Sequence, residues 1–245
     1  KISATLSTVV KPLEATLRLA APAAGAENSW KIWVVPPQAP AEADDVLVTT
    51  SLAAAKAALA KGGRVLYTPS RESIRQRQDA AFLPCFWSPV YFTNQAGTMG
   101  LLIDNKHPAL ADFPTADHSD WQWWSILTPS PGAVVLDQVP LKSKPIVQVI
   151  DAFSRNQKLG LVFEAKVSEG HLVICAADFS DAALQDPMRR QLRSSLVRYL
   201  SKTKSQPPDQ LTEAQLDQLF QDVSDQENTA RGEWAKDLEP PPPKK

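Results

Sequence analysis

From Leu13 the chain alternates: Leu13, Ala15, Leu17 and Leu19 are separated by Glu14, Thr16 and Arg18, the period-two pattern of a strand with one buried face. "WKIWVV", beginning at Trp30, reads as a second strand, "APAAGAEN" between the two supplies a turn, and "KISATLST" at Lys1 reads as a strand preceding both. A few strands cannot bury their own apolar face without a second layer. Residues 1–36 are therefore expected to be the terminal strands of a β-sandwich completed elsewhere, or strands packed on the domain that follows.

Residues 37–44 form a proline-rich, acidic linker, and the pattern changes after it. "DDVLVTT" is a buried strand, "SLAAAKAALAKGG" a helix with Ser51 as N-cap and Gly62 or Gly63 as its stop, and "RVLYTP" another strand. A strand-helix-strand unit predicts parallel strands. Strands follow at "GLLID", "AVVLD" and "IVQVIDAF", then a hairpin in "KLGLVFEAKVSEGHLVICAADF", with Gly170 where positive φ is easiest. "DPMRRQLRSSLVRYLSK" spaces Met188, Leu192, Leu196 and Leu200 as one apolar helical stripe. Residues 45–203 thus predict an α/β domain: a mostly parallel sheet, helices on both faces and an antiparallel extension. In residues 204–245, Thr212 caps an amphipathic helix through Leu211, Leu216, Leu219, Phe220 and Val223, and the Pro-rich end is extended or disordered. This tail is expected to strap the core or to dock on another chain.

With 26 basic and 27 acidic residues, the net charge of -1 gives no field that would draw the chain onto nucleic acid or an anionic membrane. Charges and prolines interrupt every apolar run before the ~18 residues of a membrane span, so no membrane insertion is expected. Lys1 is preceded by no secretory segment, which suggests a processed product or a piece of a longer chain. The two cysteines, Cys85 and Cys175, read as buried thiols, with a single bridge as the alternative.

Several segments together, "NSWKIWVVP", "DDVLVTTSL…AKGGRVLYTP", "FWSPVYFTNQAGTMGLLIDNKHPALADFPTADHSDWQWW", "IVQVIDAFSRNQKLGLVFEAKVSEGHLVICAADF" and "DPMRRQLRSSLVRYL", resemble the C-terminal region of large bacterial glycoside hydrolase family 2 proteins, the β-galactosidase-like, sugar-binding-domain group. The resemblance runs from about Trp30 to Leu200 and is most specific in "HPAL..FPT..HSDWQWW". It implies that 1–36 finish an immunoglobulin-like sandwich. It also implies that 45–203 are a Rossmann-like domain of the class I glutamine-amidotransferase kind without that chemistry, and that a catalytic (β/α)8 barrel lies upstream. The implied partner is the catalytic portion of the same glycosidase or a second subunit, with a glycan as a further candidate, in the periplasm or outside the cell. The family's two catalytic glutamates have no counterpart here, since the chain has neither a barrel pattern nor an Asn-Glu dipeptide.

No catalytic residue, metal or cofactor is assigned. An active amidotransferase needs a cysteine on a strand-to-helix elbow with a histidine base, but the turn after "RVLYT" reads "PSRES". Ser70 and Ser73, with His107 or His118 distant in sequence, sit in no G-x-S-x-G turn. Asp104, His107, Asp117, His118 and Asp120 match no metal-ligand spacing; the plainer reading gives His107 a local hydrogen bond and makes Asp117 the cap of a short helix. The stretch holding Asp117, His118, Asp120, Trp121, Trp123 and Trp124 is the candidate site, because indole faces and adjacent carboxylates suit a sugar or a protein interface. On a helix starting near Ser119, Trp121 and Trp124 share a face and Trp123 points elsewhere. The pair is then expected to serve the core, with the third ring turned outward.

Overall fold

The computed structural model describes residues 6, 9–37, 41–81 and 97–223. The strand expected at "KISATLST", Cys85 and the Pro-rich end lie almost wholly outside them. Strands β1 (Leu13–Ala21) and β2 (Ala26–Val34) pair antiparallel, joined by a tight turn in which Gly25 takes a φ of 61°. The hairpin has two unlike faces. Leu13, Leu17 and Leu19 share one with Trp30 and Ile32, whereas the other carries the ion pairs Arg18–Glu27 and Lys31–Glu14.

A mixed sheet of nine strands makes the body of an α/β unit. Strands β3 (Val46–Thr49) and β4 (Arg64–Tyr67) run parallel on either side of helix α1 (Leu52–Leu59), whose Ser51 accepts a hydrogen bond from the Ala54 amide as its N-cap. β4 pairs parallel with β10 (Gly170–Cys175), which forms an antiparallel hairpin with β9 (Leu159–Val167). β9 is the pivot of the sheet. Residues 159–160 pair with both β7 (Gly132–Val135) and β8 (Val147–Asp151), so these lie on opposite edges of β9, and β8 carries β6 (Thr98–Ile103) on its outer side. β5 (Arg77–Asp79) pairs with β7.

The sheet is not mostly parallel. Among the described residues, parallel pairing is confined to β3–β4, β4–β10 and a short strand β11 (Gln210–Leu211) against β9, and the remaining pairs are antiparallel. Parallel neighbours need a crossover of a dozen or more residues, usually a helix. No α-helix lies between β6 and β10, and β8 reaches β9 through a short turn.

Adjacent strand residues point to opposite faces, yet every residue of β10 is buried, so both faces are covered. Helices α1 and α2 (Pro187–Lys202) both pack on β3, β4 and β10 and provide that cover. Asp186 caps α2 by accepting from the Met188 and Arg189 amides, and Leu192, Leu196 and Leu200 are fully buried. The segment after Thr203 joins the same core. Leu211, Leu216, Leu219 and Phe220 are buried, and α3 (Glu213–Leu219) carries a capping box between Thr212 and Gln215. The helix stops at Leu219 because Phe220 turns extended and bridges to Ile74. Residues 41–42 also dock on α2: the Ala41 amide donates to Ser194, and Arg193 holds the Ala41 carbonyl and Glu42.

Gly170 does not take the positive φ; Ser168 does, at 50°. Gly170 is required by space instead, since a Cβ there would lie 2.7 Å from the Gly63 carbonyl oxygen and 2.8 Å from the Leu59 Cα. Gly170→Ala is expected to lower the unfolding free energy by about 1–3 kcal/mol, the usual cost of overpacking, in a urea titration. Unchanged stability would show that α1 yields freely.

Candidate functional site

Trp121–Trp123 form a single 3-10 turn capped by Asp120, whose carboxylate accepts from the Trp121 amide at 2.8 Å. Asp120 therefore holds the capping place expected of Asp117. A 3-10 turn has three residues per turn, so Trp121 and Trp124 still share a side, but the side is reversed. Trp123 is the core ring, fully buried, edge-on to Phe113 at 5.0 Å and donating from Nε1 to Thr115 at 2.9 Å. Trp121 and Trp124 turn outward, 59 % and 44 % exposed, with ring centres 5.8 Å apart. Packing decides this, since Trp123 is the ring that meets Phe113 and Thr115. The turn also touches β2, while Trp33 near the end of β2 and Val35 just after it pack on the core. The turn that carries the tryptophans thus lies beside the hairpin.

His118 and Asp117 are exposed and bonded to each other at 2.7 Å, a contact that holds the Asp117 carboxyl below its usual range. His107 faces elsewhere. Its Nδ1 accepts from the Ala109 amide, which leaves the proton on Nε2, 3.4 Å from Glu164. Asp104, His107, Asp117, His118 and Asp120 therefore do not converge on one point. Among the described residues, no group of three or more His, Cys, Asp or Glu side chains is arranged to hold a metal ion.

Glu164 is the centre of a cluster that sequence reasoning passed over. Its carboxylate lies 2.9 Å from His171 Nε2 and accepts from the Tyr199 hydroxyl at 2.8 Å, with His107 on its second oxygen. Burial opposes ionisation of Glu164, but the hydrogen bonds from His107, His171 and Tyr199 outweigh it and hold the carboxyl down to about 2. An acid held that low is a weak proton acceptor. Its neighbours come from β10, α2 and the turn at Pro108–Leu110, so the cluster fastens α2 to the sheet. A signal existed in the hairpin: Glu164 and His171 are polar interruptions of apolar strands, placed diagonally on one face by the pairing of His171 with Lys166.

A cleft of about 700 Å³ opens at the carboxyl ends of β3, β4 and β10, where α/β sheets place their ligand sites. The "PSRES" turn forms one wall. Ser70 caps a short 3-10 turn and Ser73 donates to the Ser70 carbonyl. All three histidines are engaged elsewhere, with Glu164 or Asp117, so neither serine has a histidine beside it to act as its base. Cys175 lies buried inside β10 as a free thiol, its pKa pushed up to about 12 by burial, so it is not a nucleophile at the cleft.

Among the described residues, no helix is long and apolar enough to cross a membrane. Residues 46–221 match the model of a domain of unknown function, DUF8487, and the chain belongs to that family. No curated protein matches the chain.

Proposed function

We propose that this DUF8487 member is a noncatalytic part of a carbohydrate-degrading enzyme of the glycoside hydrolase family 2 kind, and that the catalytic portion, in the same polypeptide or a second subunit, covers the apolar face of the β1–β2 hairpin. The observation that carries the reading is that face. Leu13, Leu17, Leu19, Trp30 and Ile32 lie together on it and are 36–52 % exposed. Two strands are marginal without a second layer, and a face of this composition is what a β-sandwich buries. The opposite face is already ion-paired and has no such need. The resemblance of the "HPAL..FPT..HSDWQWW" segment supplies the enzyme class and, with it, a periplasmic or extracellular location. The parallel β3–α1–β4 unit, with a cleft at its carboxyl end and "PSRES" rather than a cysteine elbow in the turn after β4, supports the finer assignment of an amidotransferase-like domain that has lost its chemistry.

A second reading, a free-standing carbohydrate-binding or scaffold protein, is favoured by the outward ring pair of Trp121 and Trp124 beside Asp117, His118 and Asp120. The two readings separate on the hairpin. Leu17→Asp combined with Trp30→Asp is expected to weaken binding to the catalytic portion at least about thirtyfold, the effect of losing central apolar anchors, with the thermal midpoint of the α/β unit unchanged. Co-elution of the double variant at wild-type strength rules the assembly out.

A further inference from the structure

We propose that an open groove beside β5 binds a phosphate group, as the free ion or as the monoester of a small molecule, through the guanidinium groups of Arg75 and Arg77. This inference goes beyond the hairpin assembly and does not rest on it. The groove has a volume of about 640 Å³, in the range of small-molecule sites, and its lining includes Arg71, Arg75, Arg77, Asp79, Gln78 and Gln157. Asp79 is spent on Arg71, with which it is ion-paired. Arg75 and Arg77 meet no carboxylate among the described residues. Exposure does not account for this, because the exposed Arg18 and Arg155 are paired with Glu27 and Asp151. Asp217 offers Arg75 only its backbone carbonyl, since its carboxylate is turned to Lys56 at 2.8 Å.

Main-chain carbonyls hold both guanidinium groups. Arg75 Nε donates to the Asp217 carbonyl at 2.8 Å and the Phe220 carbonyl at 3.1 Å, and Arg77 Nη1 donates to the Ile74 carbonyl at 2.9 Å. A guanidinium carries five N–H donors, so each keeps most of them after these bonds. Carbonyls fix the planar forks without cancelling their charge, and less rotamer freedom is then lost when an anion binds. Gln78 donates to Gln157 Oε1 at 2.8 Å, which leaves the amide nitrogen of Gln157 as a neutral donor.

The charges select the ligand. Three arginines against one aspartate give the lining a net charge of +2. A phosphate dianion balances that charge and accepts from both forks. A carboxylate would cancel only one charge, an ammonium group would be repelled, and a nucleic acid needs a longer basic track than two unpaired arginines.

The test is calorimetry and amide NMR on the full chain at about pH 8, where the dianion prevails, and at fixed ionic strength, which keeps general screening constant. The probes are inorganic phosphate and phenyl phosphate, set against benzoate. At least one of the two phosphates is expected to bind saturably, with amide shifts centred on residues 75–79, and benzoate at least about tenfold more weakly. Arg75→Gln and, separately, Arg77→Gln should each raise the Kd about tenfold or more. Arg190 is the control: it too is held by carbonyls, those of Leu184 and Gln185, but it stands outside the groove, so Arg190→Gln should leave the Kd within about twofold. Arg75 also secures the end of α3, so thermal melts show whether its variant folds; Arg77→Gln and the shifts of the parent chain decide if it does not. Saturation by phosphate alone assigns the free ion, and saturation by phenyl phosphate assigns an ester; both uphold the site. The inference is overturned if neither phosphate saturates, if benzoate binds as tightly, or if the shifts centre elsewhere. It is equally overturned if Arg190→Gln weakens binding as much as Arg77→Gln, or if folded Arg75→Gln and Arg77→Gln both keep the parent affinity. None of these results bears on the hairpin, whose failure would appear as loss of the assembly alone.

Discussion

Trp123→Ala is expected to cost about 3–5 kcal/mol of unfolding free energy, the usual price of emptying a large aromatic site that cannot collapse. Trp123 is fully buried, stacks edge-on with Phe113 and spends its only polar atom on Thr115. Nothing beside it can fill the space of an indole. Trp121→Ala, at an exposed ring of the same turn, should cost less than about 1 kcal/mol. Urea denaturation of both variants decides the matter. Equal losses would mean that the three neighbouring tryptophans share one structural role and that the outward pair is no surface.

Replacing Glu164 gives the second large effect, and its pH dependence carries the sign. The carboxyl falls from 4.5 to about 2 on folding, so its contribution is fully present above about pH 4.5 and is lost as the pH drops through 2. At 1.36 kcal/mol per unit, the contribution is about 3 kcal/mol. Glu164→Gln should therefore be less stable than the parent by about that amount at neutral pH, and the gap should close between pH 4.5 and 2. Glu164→Leu, which leaves the hydrogen-bonding groups of His171, His107 and Tyr199 facing an apolar side chain, should lose about 3–5 kcal/mol. Stability curves of parent and variants against pH test this directly. A gap independent of pH would show that the carboxylate is not held by these three donors.

Much of the fold was legible because local rules and burial agree. Leu13–Ala21 alternates and is a strand, Ser51 caps the helix that follows it, and Met188, Leu192, Leu196 and Leu200 lie on the core side of α2. Sheet direction was less legible, because apolar runs such as "AVVLD" carry no mark of which neighbour they will pair with. The glycine at 170 was rightly singled out for the wrong reason: the need is room for the end of α1, a long-range contact that the turn sequence does not reveal. The same limit applies to the sites. The spacing of Trp121, Trp123 and Trp124 identifies which rings share a side, but the ring that enters the core depends on Phe113 and Thr115. The Glu164 cluster draws His107, His171 and Tyr199 from separate elements, so no local motif announces it. The cleft is likewise assembled from the ends of β3, β4 and β10, with Asp222 arriving from the far end of the chain.

On the reading proposed above, the apolar face of the hairpin is one half of an interface with a catalytic polypeptide. Its most direct test is a native mass spectrum of the protein taken from its natural host under conditions that keep complexes intact. This chain is expected to appear within, or bound to, a larger polypeptide that hydrolyses glycosides, and the Leu17→Asp and Trp30→Asp double variant is expected to release it from a bound partner. A stable monomer of 245 residues, with no such polypeptide joined to it, would rule the interface out.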